Sequence, residues 1–423
     1  MIVAFTKDWN DVPTCTTHIL RTMGRTMPVL WINSIGMRKP SLASGRDLRR
    51  ITDRLKRAFR GPEWKENQLS VLSPLLIPQA RSSAARFINR QLMRRQTADF
   101  RRQTSGLGSQ VSGLPSELWT FVPNAADYIG CFGESKVVYY CVDDWSQFAN
   151  FDAHWLTAKE TELLRRATVV FASSRFLEAK CRAIAGDRVH YMPHGVEHAK
   201  FATALSPDLP IPADLLAVVG RHCVSAQAVS QTTIADSQSR PTLAPGTSPL
   251  PLASSPPPVI GFYGNINDWI DFAVIRQLAE QRPQWQFVLI GPIFCDISLL
   301  QGVPNIHLLG RREHDRLPAY CKGFDAALIP YRLDHPRMGS VNPVKLRELL
   351  AAGVPVVAAD LPEVRGISAF VRVARTAEEY LTGLERFLAD KPDRAAISAE
   401  RRADDWTARV AEIRRIVAAA KVG

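Results

Sequence analysis

The seven cysteines of this 423-residue chain are scattered, and no two form a Cys-x-x-Cys pair. Neither a disulfide framework nor a zinc knuckle is indicated, and a reducing compartment is expected. Aromatic residues are only 8% of positions, and no apolar run approaches the ~20 residues that span a bilayer. The start, Met1 to Asp8, lacks the basic flank and long apolar stretch of a secretory signal, so a cytoplasmic protein is expected, with any membrane contact peripheral. No Gly-x-Gly-x-x-Gly fingerprint occurs, which disfavours a dinucleotide-dependent oxidoreductase. Acidic residues are in deficit, 41 against 53 Lys and Arg, for a net charge of +12. That deficit is local. Residues 38–102 carry 17 basic and five acidic residues, which account for all of it.

What is present is enough chain for two cores, with 46% hydrophobic positions. Short β-branched runs alternate with helical patterns in both halves, the signature of parallel sheets covered by helices. Strands are expected at 2–5, 29–32, 69–76, 118–122, 136–142, 169–172 and 190–192, then at 259–263, 286–290, 306–308, 326–330 and 355–358. The fold class is therefore α/β, with two Rossmann-like doubly wound domains. Residues 1–200 form the first. A Ser-, Thr-, Ala- and Pro-rich stretch within 201–258 has too little apolar bulk to offset its ordering entropy and reads as a linker and insertion. Residues 259–403 form the second domain. The final segment, 404–423, reads as a helix with Trp406, Val410, Ile413, Ile416 and Val417 on one face, expected to pack on its own domain.

The most informative segment is Gly339–Ala358. Asn342 suits an N-cap and Pro343 the first helical position, while Gly353 suits the end before a buried strand. The N–H groups of such a helix start, with Lys345 in the first turn, address an anion. Glu348, one turn on, can accept hydrogen bonds from a ribose. A second glycine turn, Gly261–Trp269 with Gly264 and Asn265, follows a strand and precedes a helix. In doubly wound sheets ligands bind at the carboxyl ends of strands, so this turn and the Asn342 helix can face one crevice.

The order Pro193–Glu197, Gly261–Gly264, Asn305–Gly310, Asp325–Pro330 and Glu348–Ala358, with Asp8–Thr14 and Tyr140–Trp145, resembles the GT-B glycosyltransferases. The likeness is to the family 4 kind of bacterial exopolysaccharide and cell-wall polymer clusters. It implies two domains facing a cleft and a nucleotide diphospho-sugar donor, UDP- or GDP-linked, held mainly by the C-terminal domain. The N-terminal domain would take the acceptor. Glu348 matches the second of the family's paired glutamates, which holds the ribose; the first position is Ser340 here, a departure that bears on the donor-sugar contact. Lys345 matches a basic position used on the diphosphate, and Arg311 and Tyr331 fall where the base is held. A GT-B nucleotide-sugar epimerase is the alternative.

Transfer needs charge stabilisation on the leaving diphosphate, which the helix start and Lys345 can supply with no metal or further cofactor. If the mechanism inverts, a base must take the acceptor proton. Asp143 and Asp144 at a strand end are the candidates, with His18 a third. Within 38–102, Arg46–Phe59 and Arg81–Arg102 read as basic amphipathic helices suited to an anionic inner-membrane surface and a lipid-linked or saccharide acceptor. No aromatic pair or zinc finger accompanies them, so nucleic acid is not expected as a partner.

Overall fold

The computed structural model describes residues 1–11, 13–35, 61–77, 80–105, 116–147, 152–220 and 256–421. The expected helix at Arg46–Phe59 and most of the insertion lie outside these residues.

Among the described residues, fourteen strands form two sheets. The first contains β1 (Ile2–Phe5), β2 (Val29–Ile32), β3 (Glu63–Glu66), β4 (Leu69–Leu72), β5 (Ser116–Thr120), β6 (Glu134–Cys141), β7 (Val169–Ala172) and β8 (Val189–Tyr191). Their order is β3-β4-β2-β1-β5-β6-β7-β8, parallel throughout except for β3 against β4. The second contains β9 (Val259–Tyr263), β10 (Gln286–Ile290), β11 (Ile306–Gly310), β12 (Ala326–Ile329), β13 (Val356–Ala359) and β14 (Val371–Ala374), in the parallel order β11-β10-β9-β12-β13-β14. The apolar runs are buried on both faces, as Ile2–Phe5 and Val356–Ala359 illustrate.

Two strands escape the sequence pattern, and both are edges. The Glu-Trp-Lys-Glu of β3 is largely exposed, and β14 carries Arg372 with only Ala374 buried. Edge strands cover one face or none, so period and hydrophobicity fade there.

The terminal helix, Trp406–Ala419, differs from expectation. Its Trp406, Val410, Ile413 and Val417 join a core with Ile2, Ile19, Trp31 and Trp119 of the first domain. The chain thus crosses back, and Val196 pairs with Asp405 at the crossing. The spacing identified the face correctly, but several residues of apolar burial, each worth ~1.5–3 kcal/mol, are supplied by the other domain.

Candidate active site in the interdomain cleft

Each sheet reverses its strand order once, between β1 and β5 and between β9 and β12. Such switch points open a crevice at the carboxyl ends of the strands. In the second domain the chain leaves β9 through Gly264, whose φ of +135° suits glycine. A Cβ there would fall 2.2 Å from Lys345 Nζ. Gly291, after β10, is as constrained, because a Cβ on it would lie 1.8 Å from the Gly264 carbonyl oxygen. The bare Gly264 backbone therefore makes room for the Lys345 ammonium, and the bare Gly291 lets the Gly264 turn lie against it; the ammonium also lies 4.5 Å from the Phe262 ring centre and 5.4 Å from that of Tyr331.

Lys345 and Glu348 share the helix Val344–Ala351. The helix begins one residue later than expected. Pro343 occupies the cap position, and no side chain caps it. Asn342 is instead buried, donating to the Ser173 carbonyl at 2.7 Å and accepting from Arg347 at 2.6 Å. Its side chain joins the two domains, which local pattern could not reveal. The helix ends as expected, with Gly353 at φ +74° and its N–H bonded to Leu350.

Glu348 is fixed from two sides. Tyr263 donates its hydroxyl to Oε2 at 3.0 Å, and His314 Nε2 lies 2.8 Å from Oε1. Burial alone would raise the Glu348 pKa, but the His314 hydrogen bond and charge outweigh it and hold the carboxyl low. Burial opposes the charged His314 as well, yet Glu348 outweighs it and the imidazole pKa is raised. Both shifts favour an ion pair. His314 Nδ1 is in turn 3.6 Å from Glu197, which sits 2.7 Å from Lys200 and 3.8 Å from His18.

His18 reaches this cluster from the first domain. Its ring stacks on Trp406 at 5.4 Å, and burial pushes its pKa down to about 4 despite Glu197 and Glu348. The two aspartates after β6 diverge. Asp144 is buried and accepts from Lys180 at 2.9 Å and the Ser146 hydroxyl at 2.7 Å. Those bonds outweigh burial and keep it ionised. Lys180 also holds Glu160, so Asp144 belongs to a network inside its own domain. Asp143 lies where the two domains meet, 3.5 Å from Arg337 of the second domain. Enclosure pushes its carboxyl up to about 6, with Arg337 pulling the other way. Ser340 turns back, its hydroxyl donating to the Arg337 carbonyl at 3.0 Å.

Asn265 and Arg311 are exposed, and Tyr331 is buried beside Lys345. The sequence reading missed His314, Tyr263 and Arg337. Tyr263 lay inside the glycine turn and His314 two residues past the Arg311–Arg312 pair, but neither has a local signature. Their partner lies 85 or 34 residues away.

Residues 257–390 match the family described as glycosyl transferases group 1. That match lies on the second domain alone. The chain is also 27% identical over 261 residues to the putative teichuronic acid biosynthesis glycosyltransferase TuaH of Bacillus subtilis. That likeness spans 58% of this chain and 55% of the relative, so the chain matches about half of the relative's length. Among solved structures, Anabaena HepE in complex with UDP-glucose has a TM-score of 0.60 at 12% identity, covering 99% of both chains. The α,α-trehalose 6-phosphate synthase of Burkholderia multivorans has a TM-score of 0.57 at 11% identity, covering 100% of this chain and 99% of that one. These structural likenesses establish the GT-B fold, and the matched residues 257–390 include His314, Lys345 and Glu348.

Proposed function

We propose that the chain is a glycosyltransferase that moves a sugar from a nucleotide diphospho-sugar to a lipid-linked saccharide acceptor in bacterial cell-wall or exopolysaccharide synthesis. The observation that carries this reading is the clamped Glu348 three residues after Lys345. Each carboxylate oxygen has one protein donor and keeps a second lone-pair direction. Two ribose hydroxyls can therefore donate without displacing Tyr263 or His314.

The diphosphate would lie at the helix start, before the Leu346 N–H that already donates to the Pro343 carbonyl, where the preceding N–H groups are outside the helical ladder and Lys345 adds its charge. When the bond from the anomeric carbon to the phosphate oxygen breaks, negative charge grows on that oxygen, and these fixed donors stabilise it. In this account a metal is not needed for leaving-group stabilisation. The acceptor hydroxyl forms the new bond to the anomeric carbon. Asp143, where the two domains meet, takes its proton, and Arg337 keeps that carboxylate ionised.

The acceptor side favours a membrane surface. The helix Ser83–Ser105 buries Met93 and Phe100 but leaves Phe87 62% and Ile88 46% exposed. Arg94 and Arg95 are exposed on the same helix, although Arg94 reaches the Gly130 carbonyl at 3.2 Å. Apolar side chains beside arginines suit anionic lipid. Among the described residues no helix is long and apolar enough to cross a membrane, so the proposed association is peripheral, on the inner face. Release of nucleoside diphosphate from a nucleotide sugar only when acceptor is added, with sugar appearing on the acceptor, tests the reading. Conversion of the sugar nucleotide without acceptor would replace it with the epimerase reading.

A further inference from the structure

Where the chain crosses back to the first domain, three arginines converge on one carboxylate. Arg409 Nη2 lies 2.7 Å from Asp404, Arg401 Nη1 3.1 Å and Arg347 Nε 3.8 Å. Glu400, 3.7 Å from Arg401, is the other acid beside them, and it is partly exposed. Arg347 is only 4% exposed. One of its terminal nitrogens is used by Asn342, but its Nε is buried without a hydrogen-bond partner, and so are the Nε atoms of Arg401 and Arg409. The buried His194 has an unpartnered Nδ1 as well. Burial, with Arg347 and Arg409 nearby, pushes that imidazole down to about 3, so it stays neutral. Three arginines against Asp404 and Glu400 leave a positive excess that is costly to enclose unless further negative charge offsets it.

An opening lies beside this cluster. A groove of about 700 Å³ runs between β8 and the terminal helix, reaching Arg409. Arg182, His190 and Arg415 also line it, with Glu412 the acid among them, over apolar Met192 and Ile416. Its size is that of a small-molecule site. Arg182 is paired with Glu178 and Arg415 with Glu412, each at 2.8 Å or less.

We propose that this groove binds an oxyanion, a phosphate or a carboxylate, at Arg409, the one arginine of the cluster that lines it, and that the ligand's charge offsets the excess of arginine around Asp404 while the enclosed Nε atoms stay out of its reach. Asp404 sits on the crossing itself, where its carbonyl accepts from Val196 N–H and the Val196 carbonyl accepts from Trp406 N–H. Arg347 precedes Glu348 in the donor helix. Occupancy of the groove therefore braces the crossing on which the two domains meet, at a place separate from Lys345.

The test is thermal unfolding of the full chain in inorganic phosphate or in acetate, against chloride at equal ionic strength. A ligand that binds the folded state raises Tm, here by about 2–4 °C. The rise is expected in the parent and in Lys345→Ala, and is lost in Arg409→Gln. A response to phosphate alone or acetate alone identifies which oxyanion fits. Should Arg409→Gln fail to fold, the double variant Arg182→Gln, Arg415→Gln carries the test and loses most of the rise. No rise with either anion overturns the proposal. So does an equal rise in every variant, or one abolished by Lys345→Ala alone, which would place the anion at the donor helix.

Discussion

His314 Nε2 lies 2.8 Å from Glu348 Oε1, and this pair links the loop after β11 to the helix Val344–Ala351. The imidazole fixes the orientation of the carboxylate and sustains its charge in a buried setting. His314→Ala leaves that carboxylate with one donor fewer. Nucleotide affinity is expected to fall about 10-fold, with a loss of ~1–3 kcal/mol in stability. His314→Gln keeps a hydrogen bond and recovers part of both. Titration calorimetry and denaturant unfolding measure the two effects, and an unchanged affinity in His314→Ala would remove His314 from the donor site.

Asp143 and Arg337 give a prediction about pH. A base must be ionised, so the turnover of the parent is expected to rise with pH through about 6, the value to which enclosure brings Asp143. Arg337 lowers that value, so Arg337→Gln shifts the acid limb upward. Asp143→Asn is expected to lower kcat by about 100-fold or more while nucleotide binding is kept. The same substitution at Asp144 breaks the Lys180 network, and its expected signature is lower stability. If Asp143→Asn retains kcat, Asp143 is not the base.

Much of this was legible beforehand. β1, β2, β7, β9 and β10 were readable to the residue because they are short apolar runs buried on both faces. The helix that carries Lys345 and Glu348 was legible because a helix start and its first turns are coded locally. Asn342, His314 and Arg337 were not. Each acts through a partner distant in sequence, and a single sequence carries no record of such pairings. The terminal helix shows the same limit, since its periodicity defines an apolar face but not which domain receives it.

Two histidines govern stability in acid. Burial brings His18 down to about 4 and His194 to about 3, whereas in the unfolded chain each protonates near 6.5. Between pH 6.5 and 4 the unfolded state binds more protons, so stability falls as pH falls, together by a few kcal/mol, roughly. His314 acts in the opposite sense, because its raised pKa supplies stability below 6.5 that is lost as pH rises through the folded value. His18→Gln is expected to flatten the acid side of a Tm-against-pH curve and His314→Gln the alkaline side. Parallel curves for the parent and both variants would contradict these assignments.

The exposed pair Phe87 and Ile88 gives a prediction about location. The parent is expected to float with anionic vesicles and not with neutral ones. Phe87→Ser with Ile88→Ser weakens flotation through lost apolar burial, while Arg94→Glu with Arg95→Glu weakens it through charge, each basic residue being worth about 1 kcal/mol near the surface. Flotation unaltered in both variants would separate this helix from any membrane role.

The central claim is that Glu348 and Lys345 hold the donor nucleotide, and calorimetric titration of UDP and a panel of UDP- and GDP-sugars tests it most directly. The parent is expected to bind at least one of them. Glu348→Ala and Lys345→Ala should each bind it about 10–100-fold more weakly, as loss of a charged hydrogen-bonding partner implies. Both variants binding like the parent would contradict the account and move the donor site elsewhere.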